Sequence, residues 1–191
     1  ALGLADFGKP DGYLERQVGR WRTQLESYSA MEGYPGPDIP GVDDVATWLD
    51  DHRPATYRPG IIHGDFHPAN LKYQGNEIVG LFDFDWVGKQ PRMVDVADGL
   101  IFGCGVRKAP MDAGDIRALT QTFRFDRALL GAFGQGYGAE VEPTAEELHA
   151  LPDLLRARWL FCRVDAMQRK VAQRERLSYL LEDVGEPLVF V

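Results

Sequence analysis

The stretch that decides the reading is His63-Gly64-Asp65-Phe66-His67-Pro68-Ala69-Asn70, continued after one short hairpin by Asp83-Phe84-Asp85. It sits among β-type runs: Ile61-Ile62 before it, then Leu71-Lys72-Tyr73, a turn at Gln74-Gly75-Asn76, and a strand from Ile78 to Phe82. Short apolar runs bounded by Gly and Asn, with no helical period, are the pattern of a small hairpin region.

Outward from this insertion the period is helical. Leu14, Val18, Trp21, Leu25 and Tyr28 recur at three- and four-residue spacing, which predicts one apolar stripe on a helix over residues 12–31. Pro35, Pro37 and Pro40 break the pattern, and a second helix is expected over 42–51 with Val45, Trp48 and Leu49 inward. Beyond Pro91 helices are expected at 94–104, 112–122, 126–137, 144–150, 152–172 and 175–183. Thr144-x-x-Glu147 has the spacing of a capping box, and Pro152 suits a first helical turn. The expected fold is mainly α with a small β-hairpin insertion, one domain over residues 1–191.

The insertion carries the chemistry. Asp65 and Asn70 are separated by four residues, and Asp83 follows an apolar strand. Phosphoryl transfer needs a carboxylate to orient an acceptor hydroxyl and take its proton, and hard oxygen ligands to hold Mg²⁺ on a triphosphate. Asp65 fits the first role, Asn70 and Asp83 the second. Asp85 lies two residues beyond Asp83, and in an extended segment both would point the same way, so Asp85 is a candidate for the cation as well.

This arrangement resembles the aminoglycoside phosphotransferase and choline kinase superfamily, whose signature is His-Gly-Asp-x-x-x-x-Asn followed by a strand and an Asp. Pro91-Arg92-Met93-Val94-Asp95-Val96-Ala97 is similar to that family's Pro-x-x-x-Asp-Leu-Ala segment, which opens the next helix. The resemblance implies that Asp95 braces the backbone of the catalytic loop. Residues 7–21, from Phe7 to Trp21, resemble the kinase-like domains related to acyl-CoA dehydrogenase fusions. What it implies is a kinase-like fold, ATP as phosphoryl donor, Mg²⁺ as cofactor and a small-molecule hydroxyl as acceptor, of aminoglycoside, choline-like or hydroxyacyl type. It covers the C-terminal lobe of that fold. The roughly 60 residues before the loop are too few for two helices and a β-rich nucleotide lobe together. The expectation is therefore a catalytic-loop and acceptor-binding lobe whose N-terminal lobe is missing, and which alone is inactive.

Other residues carry plainer readings. His63 reads as structural support of the loop rather than as a base. His67 is an exposed loop histidine or a substrate contact. His63-x-Asp65-x-His67 also has the alternation of a Zn²⁺ site, but a catalytic zinc wants a third strong ligand and the other histidines are His52 and His149. A metal-dependent hydrolase is thus the weaker alternative, beside a non-catalytic pseudokinase or small-molecule binding lobe. Gly131, Gly134, Gly136 and Gly138 read as helix-end glycines rather than a phosphate loop. Arg156, Arg158, Arg163 and Arg169 read as a solvated helix face over Leu155, Trp159, Cys162 and Met167, and Trp86, Trp159 and Phe161 as core aromatics.

Composition sets the outer bounds. With 21 Lys and Arg against 29 Asp and Glu the formal charge is −8, the wrong sign for a chain whose partner is nucleic acid. Arg and Asp interrupt every apolar run, so no membrane span is expected. Two cysteines, Cys104 and Cys162, are too few for a disulfide scaffold and read as reduced thiols. A cytoplasmic protein is expected.

Overall fold

A computed structural model describes residues 12–30, 41–54, 59–112, 115–170 and 182–190. They form a mainly helical chain with small antiparallel sheets. The chain divides into two compact units, residues 1–61 with 88–91 and residues 62–87 with 92–191.

In the first unit α1 (Tyr13–Ser27) runs into a short 3₁₀ turn at Tyr28–Ala30, and α2 (Val42–Asp51) follows. The expected apolar stripe is present, but it is not buried. In α2 only Ala46 is enclosed, and Val45, Trp48 and Leu49 are 58%, 56% and 45% exposed. Two helices side by side cover one flank of each other, so the remaining apolar flank lines a groove of about 400 Å³ formed by Val18, Trp21, Leu25, Val42, Val45 and Leu49. Strands β1 (Pro59–Ile62) and β4 (Gly88–Pro91) pair as a two-stranded sheet, and Tyr13 donates its hydroxyl to Gln90 Oε1 at 2.8 Å. β4 escaped the sequence reading because Gly88-Lys89-Gln90-Pro91 has no apolar alternation.

The second unit is built on α3 (Met93–Gly103), which buries Met93, Val96, Ala97, Leu100 and Ile101. Against it pack Phe123 and Phe125 of β6 (Phe123–Phe125) and Leu155 and Trp159 of α6 (Ala145–Lys170). Each such large side chain removed from water contributes roughly 1.5–3 kcal/mol. Gly99 lets α5 (Arg127–Glu140) approach, since a Cβ there would meet the Phe133 ring at 2.8 Å. The hairpin of β2 (Leu71–Gln74) and β3 (Glu77–Leu81) turns at Gly75-Asn76, with Gly75 at φ +61°.

Several elements differ from expectation. The helix expected over 112–122 is the single turn α4 (Ile116–Leu119), and the next residues form β6, paired with β5 (Gly105–Arg107). Phe123 and Phe125 are buried while Arg124 faces out, a period of two that the flanking helical signals masked. The helices expected at 144–150 and 152–172 are one helix, α6, with Pro152 inside it. Its start is held by the capping box, Thr144 N to Glu147 Oε2 at 2.8 Å and Glu147 N to Thr144 Oγ1 at 3.2 Å. Arg92 grips the same Glu147 carboxylate with two bonds of 2.8 and 2.7 Å. Pro152, inside the helix, lacks the N–H that would bond the carbonyl four residues back. The four glycines 131, 134, 136 and 138 lie within α5 and not at its end. A last short helix, α7 (Gly185–Phe190), was not foreseen, and the helix expected over 175–183 falls mainly outside the described residues. Among the described residues no helix is long and apolar enough to cross a membrane.

Candidate active site

The loop after β1 is fixed backbone first. The carboxylate of Asp95, in the first turn of α3, accepts the N–H of His63 on Oδ2 at 2.6 Å and that of Gly64 on Oδ1 at 2.8 Å. Gly64 stands at φ +86°, and a Cβ built on it would lie 2.4 Å from the carbonyl oxygen of Trp86. The left-handed backbone and the close approach both require glycine. His63 is buried, and its Nε2 lies 2.6 Å from Phe82 O; a carbonyl only accepts, so Nε2 carries the proton. The ring also rests near Phe84, with centroids 5.1 Å apart.

Asp65 and Asn70 meet. Pro68–Asn70 is a 3₁₀ turn that brings Asn70 back over the loop, where Asn70 Nδ2 donates to Asp65 O at 2.9 Å and lies 3.4 Å from Asp65 Oδ2. His67 Nε2 is 3.4 Å from the same Oδ2, and its ring lies 5.5 Å from that of Phe102. The hydrogen bond from His67 holds the Asp65 carboxyl below the usual carboxylate range, with Asn70 and Arg158 acting in the same direction against partial burial. Asp65 is therefore an ionised acceptor at neutral pH, half-buried, with its side chain 38% exposed.

Asn70 also sets where Asp83 stands. Its carbonyl accepts the N–H of Phe82 at 2.9 Å, so β3 ends beside the loop and the chain turns at Asp83 with φ +62°. Such a backbone is uncommon for any residue but glycine and is most often taken by Asn and Asp. Asp83 and Asp85 are exposed, and among the described residues neither has a hydrogen-bond or ion-pair partner. The segment is not extended: after left-handed Asp83 it bends, with Val87 N bonded to Phe84 O at 3.1 Å. Residues 83 and 85 therefore do not share the face that an extended backbone would give them.

The donor chemistry suits Mg²⁺. The nitrogen of the Asn70 amide is engaged by Asp65, which leaves its Oδ1 as the end for a cation, and Asp83 offers a carboxylate without a competing partner. Mg²⁺ is ordinarily held by one or two such side chains together with phosphate oxygens and water. Among the described residues no three His, Cys, Asp or Glu side chains cluster closely enough to hold a metal by themselves. His63, Asp65 and His67 accordingly form no such cluster.

Two residues at the site were missed in the sequence. Asp98 is 1% exposed and receives both Arg158 Nε and Arg158 Nη2 at 2.7 Å. Burial pushes the Asp98 carboxyl up, against the favourable Arg158 charge; Asp98 in turn holds the Arg158 guanidinium above its ordinary value despite burial. Arg158 is thus not on a solvated face, and Arg163 is 2% exposed, donating to Thr120 O and Glu182 O at 3.0 and 2.5 Å. Trp159 is enclosed as expected, whereas Trp86 is 52% exposed beside Gly64. An aspartate among the apolar residues of α3, with no neighbour in sequence to pair with, was the available signal for the ion pair.

The chain belongs to the phosphotransferase enzyme family, whose model matches residues 1–151. Among particular proteins, it is 32% identical over 87 residues to acyl-CoA dehydrogenase family member 11 of Gallus gallus, covering 45% of this chain and 10% of that protein. It is 32% identical over 103 residues to a probable acyl-CoA dehydrogenase, IBR3, of Arabidopsis thaliana, covering 51% of this chain and 12% of that protein. Against the homoserine kinase of Sinorhizobium fredii it is 27% identical over 177 residues, covering 85% of this chain and 48% of that protein. The chain thus spans about a tenth of the first two relatives and about half of the third.

Proposed function

We propose that this chain is the C-terminal, catalytic-loop lobe of a kinase that transfers the γ-phosphoryl group of ATP to a hydroxyl of a small molecule. The observation that carries the reading is the loop itself: Asp65 ionised and half-open, bonded to Asn70, on a backbone gripped by Asp95. Asp65 orients the acceptor hydroxyl and takes its proton. Asn70 and Asp83 are the side chains for Mg²⁺, which when bound neutralises charge on the triphosphate. His67 and Asp85 are the further candidates in this reading, for contact with the acceptor or with a second cation. The homoserine kinase relatives favour a small amino alcohol as acceptor, with hydroxyacyl and aminoglycoside or choline-like alcohols as the other classes. In this reading the chain by itself holds nucleotide weakly and turns over poorly.

The test is transfer of labelled γ-phosphate from ATP–Mg²⁺ to a panel of amino alcohols, sugars and hydroxyacyl thioesters by the protein that carries this lobe, with Asp65→Asn beside it. Transfer to a hydroxyl that falls by about 10²–10⁴-fold in the variant is expected. Equal rates in the two proteins would end the assignment of Asp65.

A further inference from the structure

We propose that Arg158, locked in place by Asp98, is a positioning residue for Asp65: it holds from α6 the carbonyl of Gly64, the residue whose N–H Asp95 holds from α3. The proposal rests on the reading of Asp65 as the group that takes the hydroxyl proton. The Gly64 N–H is taken by Asp95 Oδ1 at 2.8 Å, and the Gly64 carbonyl lies 3.4 Å from Arg158 Nη2. That carbonyl belongs to the peptide whose nitrogen is Asp65's, so any rotation of it swings the Asp65 backbone and carboxylate. Gly64 has no side chain and a left-handed backbone, and so contributes nothing of its own to resist such rotation.

Arg158 is suited to that task by how it is held. Its two bonds to Asp98 form a fork, which fixes the plane of the guanidinium and not only its position. The Phe161 ring lies 5.1 Å from its central carbon, adding a second constraint on the same plane. Asp98 sits one turn after Asp95 on α3, so both grips on the loop are referred to one rigid helix. A buried ion pair is a poor device for stability alone, since well-packed apolar residues usually do as well. Here the pair has an end that reaches the loop, and the Arg158 charge acts on the Asp65 carboxylate as well.

Asp98→Asn with Arg158→Met removes the fork without leaving one buried charge unpaired. In the protein that carries this lobe, the double variant is expected to fold, and kcat to fall about 10- to 100-fold with KM for ATP–Mg²⁺ little changed. The carbonyl carbon-13 resonance of Gly64 should shift. Arg158→Lys keeps a charge without the fork and should recover part of kcat; it carries the comparison by itself if the double variant does not fold. Wild-type kcat per folded molecule, or a Gly64 carbonyl resonance that does not move, would overturn the proposal. If the wild-type protein phosphorylates no hydroxyl, a moved resonance keeps Arg158 as the positioning residue and places the failure on the phosphotransfer reading.

Discussion

Asp95 Oδ2 accepts the backbone N–H of His63 at 2.6 Å across 32 positions of sequence, and with its other oxygen it holds the next amide too. A carboxylate has the acceptors for two adjacent N–H groups, whereas an amide side chain offers one oxygen and a clashing donor. Asp95→Asn should therefore leave one part-buried N–H without a partner and lower stability by about 1–3 kcal/mol. Amide hydrogen exchange at His63 and Gly64 checks it: both protons should exchange faster than in the wild type while those of α6 stay protected. Unchanged exchange at both would mean that the loop is held by other contacts.

The two aspartates after the hairpin separate on their backbones. Asp83 is left-handed and follows directly on the residue bonded to Asn70, whereas Asp85 begins a turn two residues further on. Asp83→Ala should raise the magnesium concentration needed for half-maximal phosphoryl transfer by at least about tenfold, and Asp85→Ala by much less, because Mg²⁺ relies on only one or two protein oxygens. Magnesium titration of the two variants in the protein that carries this lobe decides between them. A larger effect at Asp85 would shift the ligand by two residues.

Gly64→Ala tests the closest approach in the loop. The left-handed backbone alone disfavours alanine by about 1–2 kcal/mol, and the new Cβ would stand 2.4 Å from Trp86 O, a backbone atom that cannot rotate away. The variant should melt well below the wild type, or refold with the 85–87 turn displaced. A melting temperature within a degree of the wild type would show that the turn at Trp86 yields without resistance.

Legibility in the sequence followed the range of the signals. The loop from His63 to Asn70 and the hairpin after it could be read because their spacing is local, and the α2 helix over 42–51 and the start of the helix expected at 126–137 are local as well. The structure shows Asp126 accepting from Ala128 N and Leu129 N at 2.8 and 3.0 Å. What failed were inferences that need a partner. Val45, Trp48 and Leu49 were expected inward from their period, but period gives a face and not what covers it. Arg158 and Asp98 lie 60 positions apart, and neither residue alone distinguishes a buried pair from two surface charges. Pro152 was expected at a first helical turn from local preference, whereas the helix starts earlier, at the Thr144–Glu147 capping box, and runs on through it.

Cys104 gives a pH-dependent test of the core. It is 2% exposed, and burial pushes its thiol above the ordinary value. The folded state keeps this proton to higher pH than the unfolded chain does. Its contribution to stability is therefore fully present below the unfolded thiol value and is lost as pH rises through the folded one. Alkylation by a maleimide near pH 8 should label half-buried Cys162 ahead of Cys104, and Cys104 should react at its full rate only in denaturant. Mass mapping of the labelled peptides reads the order directly, and equal labelling of both would contradict the packing around α3.

The glycines within α5 give the last prediction. Gly131, Gly134, Gly136 and Gly138 all lie inside the helix, none has a positive φ, and a Cβ at any of them would meet nothing within 4 Å among the atoms around it. Glycine in a helix interior is less favourable than alanine by about 1 kcal/mol, because the unfolded chain has more freedom to lose. Since space and backbone both permit a methyl group, each glycine-to-alanine change should stabilise by about 0.4–1 kcal/mol, and changes on different turns should add. Gly99, on α3 facing α5, is the contrasting case: a Cβ there meets Phe133 at 2.8 Å and should destabilise. Chemical denaturation of Gly134→Ala, Gly138→Ala and Gly99→Ala compares the two situations in one protein. If the α5 variants lose stability, those glycines are serving a contact that lies outside the described residues or a bending of the helix, and entropy is not what governs them.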